Sequence, residues 1–254
     1  MRRILLFTAY FILLIPTITS SQSYSGKEII EKVNELLNPE ASYGKASMTI
    51  LTTSGDVRTF IYEQWSKGKG EKNLVRYIKP VRVKDQAILM LNNADDIWSY
   101  FPRTRRIRKL ATHAKKQKMQ GSDFSYEDMG SGDTFLDDYS AKRLEDEVKQ
   151  GYECYKVELN RNVDSDASYS RIVIWIIKEN FYPICLNYYH ENDETFLEKV
   201  LVQSEIRIID GIPTAMKSVM NNKKDNTRTQ IELINIKYNI DLKDDLFTER
   251  SLKK

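Results

Sequence analysis

The chain has 254 residues, 41% of them hydrophobic and 30% charged, which excludes an intrinsically disordered polymer and fits one domain with a core of ordinary size. Its net charge of +3 excludes a strong global field, so any electrostatic recognition has to be local.

The first element is a leader. MRRILLFTAYFILLIPTITSSQS places Arg2 and Arg3 before an apolar run from Ile4 to Ile15, then Pro16 and small residues around Ser20 and Ser21, the parts of a secretory signal. The expected division is a signal peptide over residues 1–21 and a single domain over 22–254. The apolar run is too short to span a bilayer comfortably, and an uncleaved anchor is the alternative. No cysteine lies near the cleavage region, so a bacterial lipoprotein anchor is not expected. Loss of Arg2 and Arg3 from the 39 basic side chains leaves them nearly level with the 36 acidic ones.

Next comes an amphipathic helix. SGKEIIEKVNELLNPE opens with Ser25 and carries Glu28 three residues on, a capping-box spacing, and it stops at Asn38-Pro39. Ile29, Val33, Leu36 and Leu37 form its apolar stripe, widened by Ile30.

Thereafter the pattern is that of strands. Twelve segments, from KASMTILTT to TRTQIELINIKYNI, are rich in Ile, Val, Tyr, Thr and Phe and are bounded by Gly, Asn, Asp or Pro. No helical pattern recurs between them, so an antiparallel sheet is predicted. Between Phe196 and Ile208 one face carries Phe196, Val200, Val202, Ile206 and Ile208, and the other, expected to be wet, carries Lys199, Gln203, Glu205 and Arg207. Residues 172–177 and 88–91 are apolar on both faces. One helix cannot cover that much apolar sheet, which must curl on itself, dimerise or hold an apolar ligand. Cys154 and Cys185 fall in the first and third strands of a run of three, about 9 to 10 Å apart in a meander, and are expected to be free thiols.

Residues 111–150 have the weakest pattern and suggest short helical turns or a lid. A hydrolase could draw on Ser122 or Ser125 with His113 and Asp123 or Asp128. No G-x-S-x-G elbow occurs, however, and surface histidines are the plainer reading. The acidic stretches lack the spacing of calcium loops, no C-x-x-C or H-E-x-x-H is present, and GSGD at 130–133 reads as a turn. No metal and no cofactor are expected.

Arg103, Arg105, Arg106, Arg108 and Lys109 form a basic ladder beside Trp98, Tyr100 and Phe101. Export argues against nucleic acid. Three readings stay open: pairing with the nearby Asp123, Glu127 and Asp128, a site for an anionic lipid headgroup, or a docking patch for a membrane partner.

The run DDIWSYFPRTRRIRKL followed by KMQGSDFSYEDM, with Phe247-Thr248 near the C-terminus, resembles the exported outer-membrane lipoprotein-sorting proteins, relatives of the LolA/LolB periplasmic carriers. The matching positions are Trp98, Tyr100, Pro102, Arg105, Arg108, Gly121, Ser122, Asp123, Phe124, Tyr126, Glu127 and Asp128. The family commonly runs Met directly into Gly, whereas Gln120 intervenes here. The resemblance implies a mainly β fold in which a strongly curved antiparallel sheet forms an unclosed barrel, covered by the N-terminal helix and short helical segments. It also implies a non-enzymatic periplasmic carrier of lipid or lipoprotein acyl chains, in peripheral contact with membranes and served by an inner-membrane transporter of the RND type. On that basis Arg105 and Arg108 are expected near an anionic headgroup, with residues 111–135 as a mobile cover.

Overall fold

The computed structural model describes residues 24–130 and 135–253, so the expected signal peptide lies outside the described residues, as do three residues of the GSGD stretch. Helix α1 (Gly26–Leu37) begins as its sequence predicts. Ser25 Oγ accepts from the Glu28 amide at 3.2 Å, and the Glu28 carboxylate accepts from the Ser25 amide at 2.8 Å. Asn38 ends the helix, its side-chain amide donating to the Asn34 carbonyl. Ile29, Ile30 and Val33 are fully buried, while Leu37 stays 37% exposed.

The strands are β1 (Ala41–Leu51), β2 (Val57–Lys67), β3 (Lys72–Lys79), β4 (Ala87–Leu91), β5 (Asp96–Phe101), β6 (Arg106–Lys109), β7 (Tyr139–Arg143), β8 (Glu147–Lys149), β9 (Tyr152–Arg161), β10 (Arg171–Ile177), β11 (Pro183–His190), β12 (Asp193–Ile209), β13 (Ile212–Asn222) and β14 (Thr227–Tyr238). They form one antiparallel sheet in the order β6-β5-β4-β3-β2-β1-β14-β13-β12-β11-β10-β9-β7, with β8 paired to β9 off the path. The predicted fold class is the one found: a curved antiparallel sheet that does not close into a barrel. Strands β7 and β8, YSAKR and EVK, escape sequence detection because both are short and neither has an apolar alternation.

The order has a direct consequence. The chain leaves the centre at β1, walks outward to the β6 edge, crosses to the opposite edge at β7, and walks back until β14 pairs with β1. The crossover is residues 110–138, and helix α1 packs beside it against β7, β9 and β13. The concave face thus acquires two covering elements. Its core joins Ile29, Ile30 and Val33 of α1 to Met48, Phe60, Tyr62, Tyr77, Ile88, Met90, Leu159, Ile174, Leu186 and Tyr188 of the sheet, with Met119 and Phe124 from the crossover. The surplus apolar surface is met by curling.

The convex face is covered in two places. Leu242, Leu246, Phe247 and Leu252 from the C-terminal segment lie on Leu74, Leu89, Trp98 and Tyr100. Trp175, Val173 and Cys185 form a second cluster with Val200, Val202 and Ile206. The two cysteines are buried free thiols, on strands separated by β10 as the meander requires.

Strand β12 departs from expectation at Lys199. Lys199 pairs across to Tyr188 and Leu201 to Leu186, so the row predicted to be wet looks into the concavity. Lys199 is only 6% exposed, whereas Phe196 and Ile208 of the apolar row are 40% and 64% exposed. Alternation separates the two sides of a strand but does not say which is inside. Here a buried partner draws Lys199 inside, while Glu205 and Arg207 farther along the same row stay exposed.

Candidate functional site

The crossover folds into a cover. Its first part is a 3-10 turn at Thr112–Lys116, followed by a tight reversal in which Lys118 bridges Ser125 and the Met119 amide donates to the Phe124 carbonyl. At the tip, Gln120 and Gly121 take φ of 53° and 75°. Gly121 meets that demand without a Cβ penalty, and the intervening Gln120 occupies the left-handed region beside it. Then come α2 (Tyr126–Gly130) and α3 (Phe135–Asp138). Ser125 and Asp128 cap α2 reciprocally: Ser125 N donates to Asp128 Oδ2 at 2.8 Å and Asp128 N to Ser125 Oγ at 3.0 Å. At its far end Gly130 lies against β4, where an added Cβ would meet Met90 Sδ at 2.8 Å and Ala94 Cβ at 3.0 Å.

Polar contacts at the margins hold the cover down. Asp123, almost fully buried, accepts from Thr229 Oγ1 at 2.7 Å and Thr227 Oγ1 at 2.5 Å on β14 and from Lys118 Nζ at 3.3 Å, while its amide donates to Thr229 Oγ1. Asp128 accepts from the Tyr169 hydroxyl at 3.0 Å and lies 3.5 Å from Lys199 Nζ, which itself donates to Tyr169 Oη at 2.9 Å. Glu127 accepts from the Ser168 amide and hydroxyl, and burial raises its carboxyl above the usual glutamate value. Lys115 pairs with Asp95 and Asp166, Lys116 with Glu191, and Lys118 also with Asp225.

These partners answer one open question. The motif carboxylates do not pair with the basic ladder; Asp123 reaches Lys118 of the crossover and the threonines of β14, Glu127 reaches Ser168, and Asp128 reaches Tyr169 and Lys199. Loop proximity suggested the arginines, but the crossover carries the carboxylates away from β6 toward β10, β12 and β14. Sequence reasoning missed Lys115, Lys118, Tyr169, Lys199 and Thr229, since nothing in a strand pattern marks a residue whose partner is remote in the chain, 41 positions for Tyr169 and Asp128 and 106 for Thr229 and Asp123.

The ladder divides between the faces. Arg106 and Arg108 pair with Phe101 and Ser99 on the concave side, while Ile107 and Lys109 pair with Tyr100 and Trp98 on the convex side. Trp98 carries Lys109 at 4.9 Å over its ring, and Tyr100 lies buried under the C-terminal segment, so neither faces the concavity. Among the described residues Arg103, Arg105, Arg106 and Arg108 have no carboxylate within ion-pair distance; Lys109 alone of the ladder pairs, with Asp96. Arg105 sits in the turn with φ of 51°. Arg103 and Arg108 instead converge with Arg82, Gln86, Phe101, Pro102 and Thr104 on a cleft of about 490 Å³.

Two smaller clefts of about 200 Å³ flank Leu37 at the other end of the concavity. One runs along Gln203, Ser218, Ile231 and Leu233, the other along Gln64, Ser66, Asn73 and Met129. On β2 the distance from Phe60, beside the arginine cleft, to Gln64 and Ser66 is four to six residues, roughly 13–20 Å. Between the two ends Tyr62, Tyr77, Met48, Met119 and Phe124 fill the space.

Ser122 and His113 are not brought together. The buried Ser122 hydroxyl donates to the Phe124 carbonyl at 3.1 Å and accepts from its amide, and His113 is exposed in the 3-10 turn. Phe124 and Tyr126 pack into the concave core. Among the described residues no group of His, Cys, Asp and Glu is placed to hold a metal, and no helix is long and apolar enough to cross a membrane.

Comparison with known proteins places this geometry. A family model described as "Uncharacterized protein" matches residues 69–254. Three crystal structures are similar along nearly the whole chain. A DUF1329 family protein from Desulfovibrio piger is 27% identical, with TM-score 0.82, covering 89% of this chain and 97% of its own. An outer membrane lipoprotein-sorting protein domain from Vibrio parahaemolyticus is 22% identical, with TM-score 0.81 and coverages of 90% and 98%. A LolA superfamily protein from Nitrosomonas europaea is 22% identical, with TM-score 0.74 and coverages of 90% and 100%. No curated protein matches the sequence.

Proposed function

The chain belongs to the DUF1329 family and has a LolA-like fold, and from that premise we propose that it is an envelope carrier for the acyl chains of a lipid or lipoprotein. The supporting observation is the construction of the cover. The concave face is largely apolar, from Tyr77 and Ile88 on one wing to Ile174 and Leu159 on the other, and the segment closing it is held at its margins by Asp123, Asp128, Glu127 and three lysines. Met119 and Phe124 fill apolar positions that a hydrocarbon chain would fill equally well. Each methylene buried in their place contributes roughly 0.8 kcal/mol, so exchange of cover for cargo is close to balanced in apolar terms and the polar clamps act as the gate.

In this reading residues 1–21 direct export to the periplasm, 22–254 are the carrier domain, and no chemistry or cofactor is involved. The clefts beside Leu37 are where a chain would first enter, and the cover, residues 111–135, would then lift. The sorting role in the name of the Vibrio parahaemolyticus domain supports lipoprotein as one cargo class, and an inner-membrane transporter of the RND type is the natural source.

Native mass spectrometry of protein purified from membranes, followed by lipid extraction, tests the reading. An intact co-purifying lipid is the expected result. Release of fatty acid that disappears in Ser122→Ala would favour a hydrolase instead, and protein that arrives empty and takes up no acyl probe would end the carrier reading.

A further inference from the structure

We infer that Arg82, Arg103 and Arg108 form a binding site for a phosphate group at the end of the concavity opposite Leu37. These three arginines come from separate pieces of chain: Arg82 from the 3-10 turn Val81–Val83 after β3, Arg103 from the turn after β5, and Arg108 from β6. They line one cleft of about 490 Å³, whose other walls are Gln86, Phe101, Pro102 and Thr104. No acidic residue lines it.

The cleft collects cations without carboxylates. Elsewhere Lys115, Lys116, Lys118, Arg171 and Lys199 each face a carboxylate. The exposed Arg82, Arg103 and Arg108 face none among the described residues, so three like charges border a common space that favours an anion from outside. Two of the three are already oriented. The Arg82 guanidinium lies 5.8 Å from the centre of the Phe60 ring, and that of Arg108 5.7 Å from the centre of Phe101. Stacking holds a guanidinium plane and leaves its N–H edges free, which lowers the ordering cost of each hydrogen bond.

The chemistry fits phosphate. A guanidinium offers a fixed fork of donors that matches phosphate oxygens, and several forks around one group suit its three or four acceptors better than a carboxylate's two. Gln86 and Thr104 add neutral donors. Phe101 and Pro102 give the cleft an apolar wall for whatever carries the phosphate. Phe60, beneath Arg82, packs edge-on against Tyr77 at 5.8 Å, and the buried Tyr77 hydroxyl has no hydrogen-bond partner among the described residues.

The inference deepens the carrier reading by giving one end of the cargo its chemistry, yet it rests on residues that reading does not need. The test is titration calorimetry with three probes: dihexanoyl phosphatidic acid, dihexanoyl phosphatidylcholine and inorganic phosphate. Phosphatidic acid is expected to bind more tightly than phosphatidylcholine and to weaken with added salt. Arg82→Gln and Arg108→Gln should each weaken it about tenfold, the effect of losing one charge-assisted contact. Arg250→Gln, in the C-terminal segment on the convex face, should not. Inorganic phosphate binding as tightly as phosphatidic acid would keep the site but make free phosphate its ligand. Absence of binding by both phosphate probes, or affinities untouched by the two substitutions in folded protein, would overturn it. A neutral monoacylglycerol probe separates the two proposals. If it binds while the phosphate probes do not, the carrier stands without the anion site; if the phosphate probes bind and it does not, the anion site stands without the carrier.

Discussion

Lys199 Nζ lies 3.5 Å from the Asp128 carboxylate, with both side chains more than nine-tenths buried, and so ties α2 of the cover to the inner row of β12. Tyr169 stands between them, accepting from the lysine and donating to the aspartate. Removing one member strands a buried charge, which typically costs about 3–5 kcal/mol. Lys199→Met is expected to fall in that range by urea denaturation at unchanged m-value, and Lys199→Met with Asp128→Asn to cost clearly less than the sum of the single changes. Additive single effects would show that the pair is not coupled.

Glu127 gives the cover a pH response. Burial raises its carboxyl above 4.5, against the lowering effect of the Ser168 hydrogen bonds. Between 4.5 and the raised folded value the folded chain keeps a proton that the unfolded chain has released, so the stability from this group is complete below pH 4.5 and declines as pH rises through that window. Glu127→Gln fixes the neutral form. Its stability relative to the native protein should climb from pH 4.5 upward and then level off, and a difference that stays flat with pH would remove Glu127 from this role.

The clamp at Asp123 should govern how easily the cover opens. Asp123→Ala loses two threonine hydroxyl donors and the Lys118 contact, and a charge-assisted hydrogen bond is worth about 1.5–3 kcal/mol. Hydrogen exchange should then accelerate over residues 118–130 well before it does in β9 to β11, and uptake of an acyl probe should become faster. Uniform loss of protection would mean that the cover does not open as a unit.

Helix α1 depends on a glycine at its first turn. A Cβ on Gly26 would stand 2.6 Å from the Arg143 amide nitrogen and 2.8 Å from the Lys142 carbonyl carbon, both backbone atoms of β7. Gly26→Ala therefore has to push α1 off the sheet edge and is expected to cost about 1–3 kcal/mol in place of the usual gain for alanine in a helix. A midpoint equal to or above that of the native protein would show that the contact yields freely.

The thiols offer a check on strand order. Cys154 and Cys185 are buried, and burial raises both above the usual cysteine value. Neither should react with iodoacetamide in the native protein, and both should react in denaturant without reductant. Failure of both to react in denaturant would reveal a disulfide and place their strands next to each other.

The sequence by itself determined those features whose causes are local. The capping box at Ser25 and Glu28 starts α1, and the apolar periods of β1 to β6 and β9 to β14 specify an antiparallel sheet too large for one helix to cover. The separation of Cys154 from Cys185 follows from the meander. The GSDFSYED stretch was legible as a family signature, because the resemblance rests on residue types that stand next to one another. Only the tertiary structure decided what each polar group faces. Lys199 and Arg207 look alike in an alternating strand, and it took the return of the chain from β6 across to β7 to lay Asp128 over one of them. The same crossing took the carboxylates away from the arginines, and the turn after β3 brought Arg82 to Arg103 and Arg108. Pairing of charges depends on distances set by curvature and topology, which no local pattern encodes.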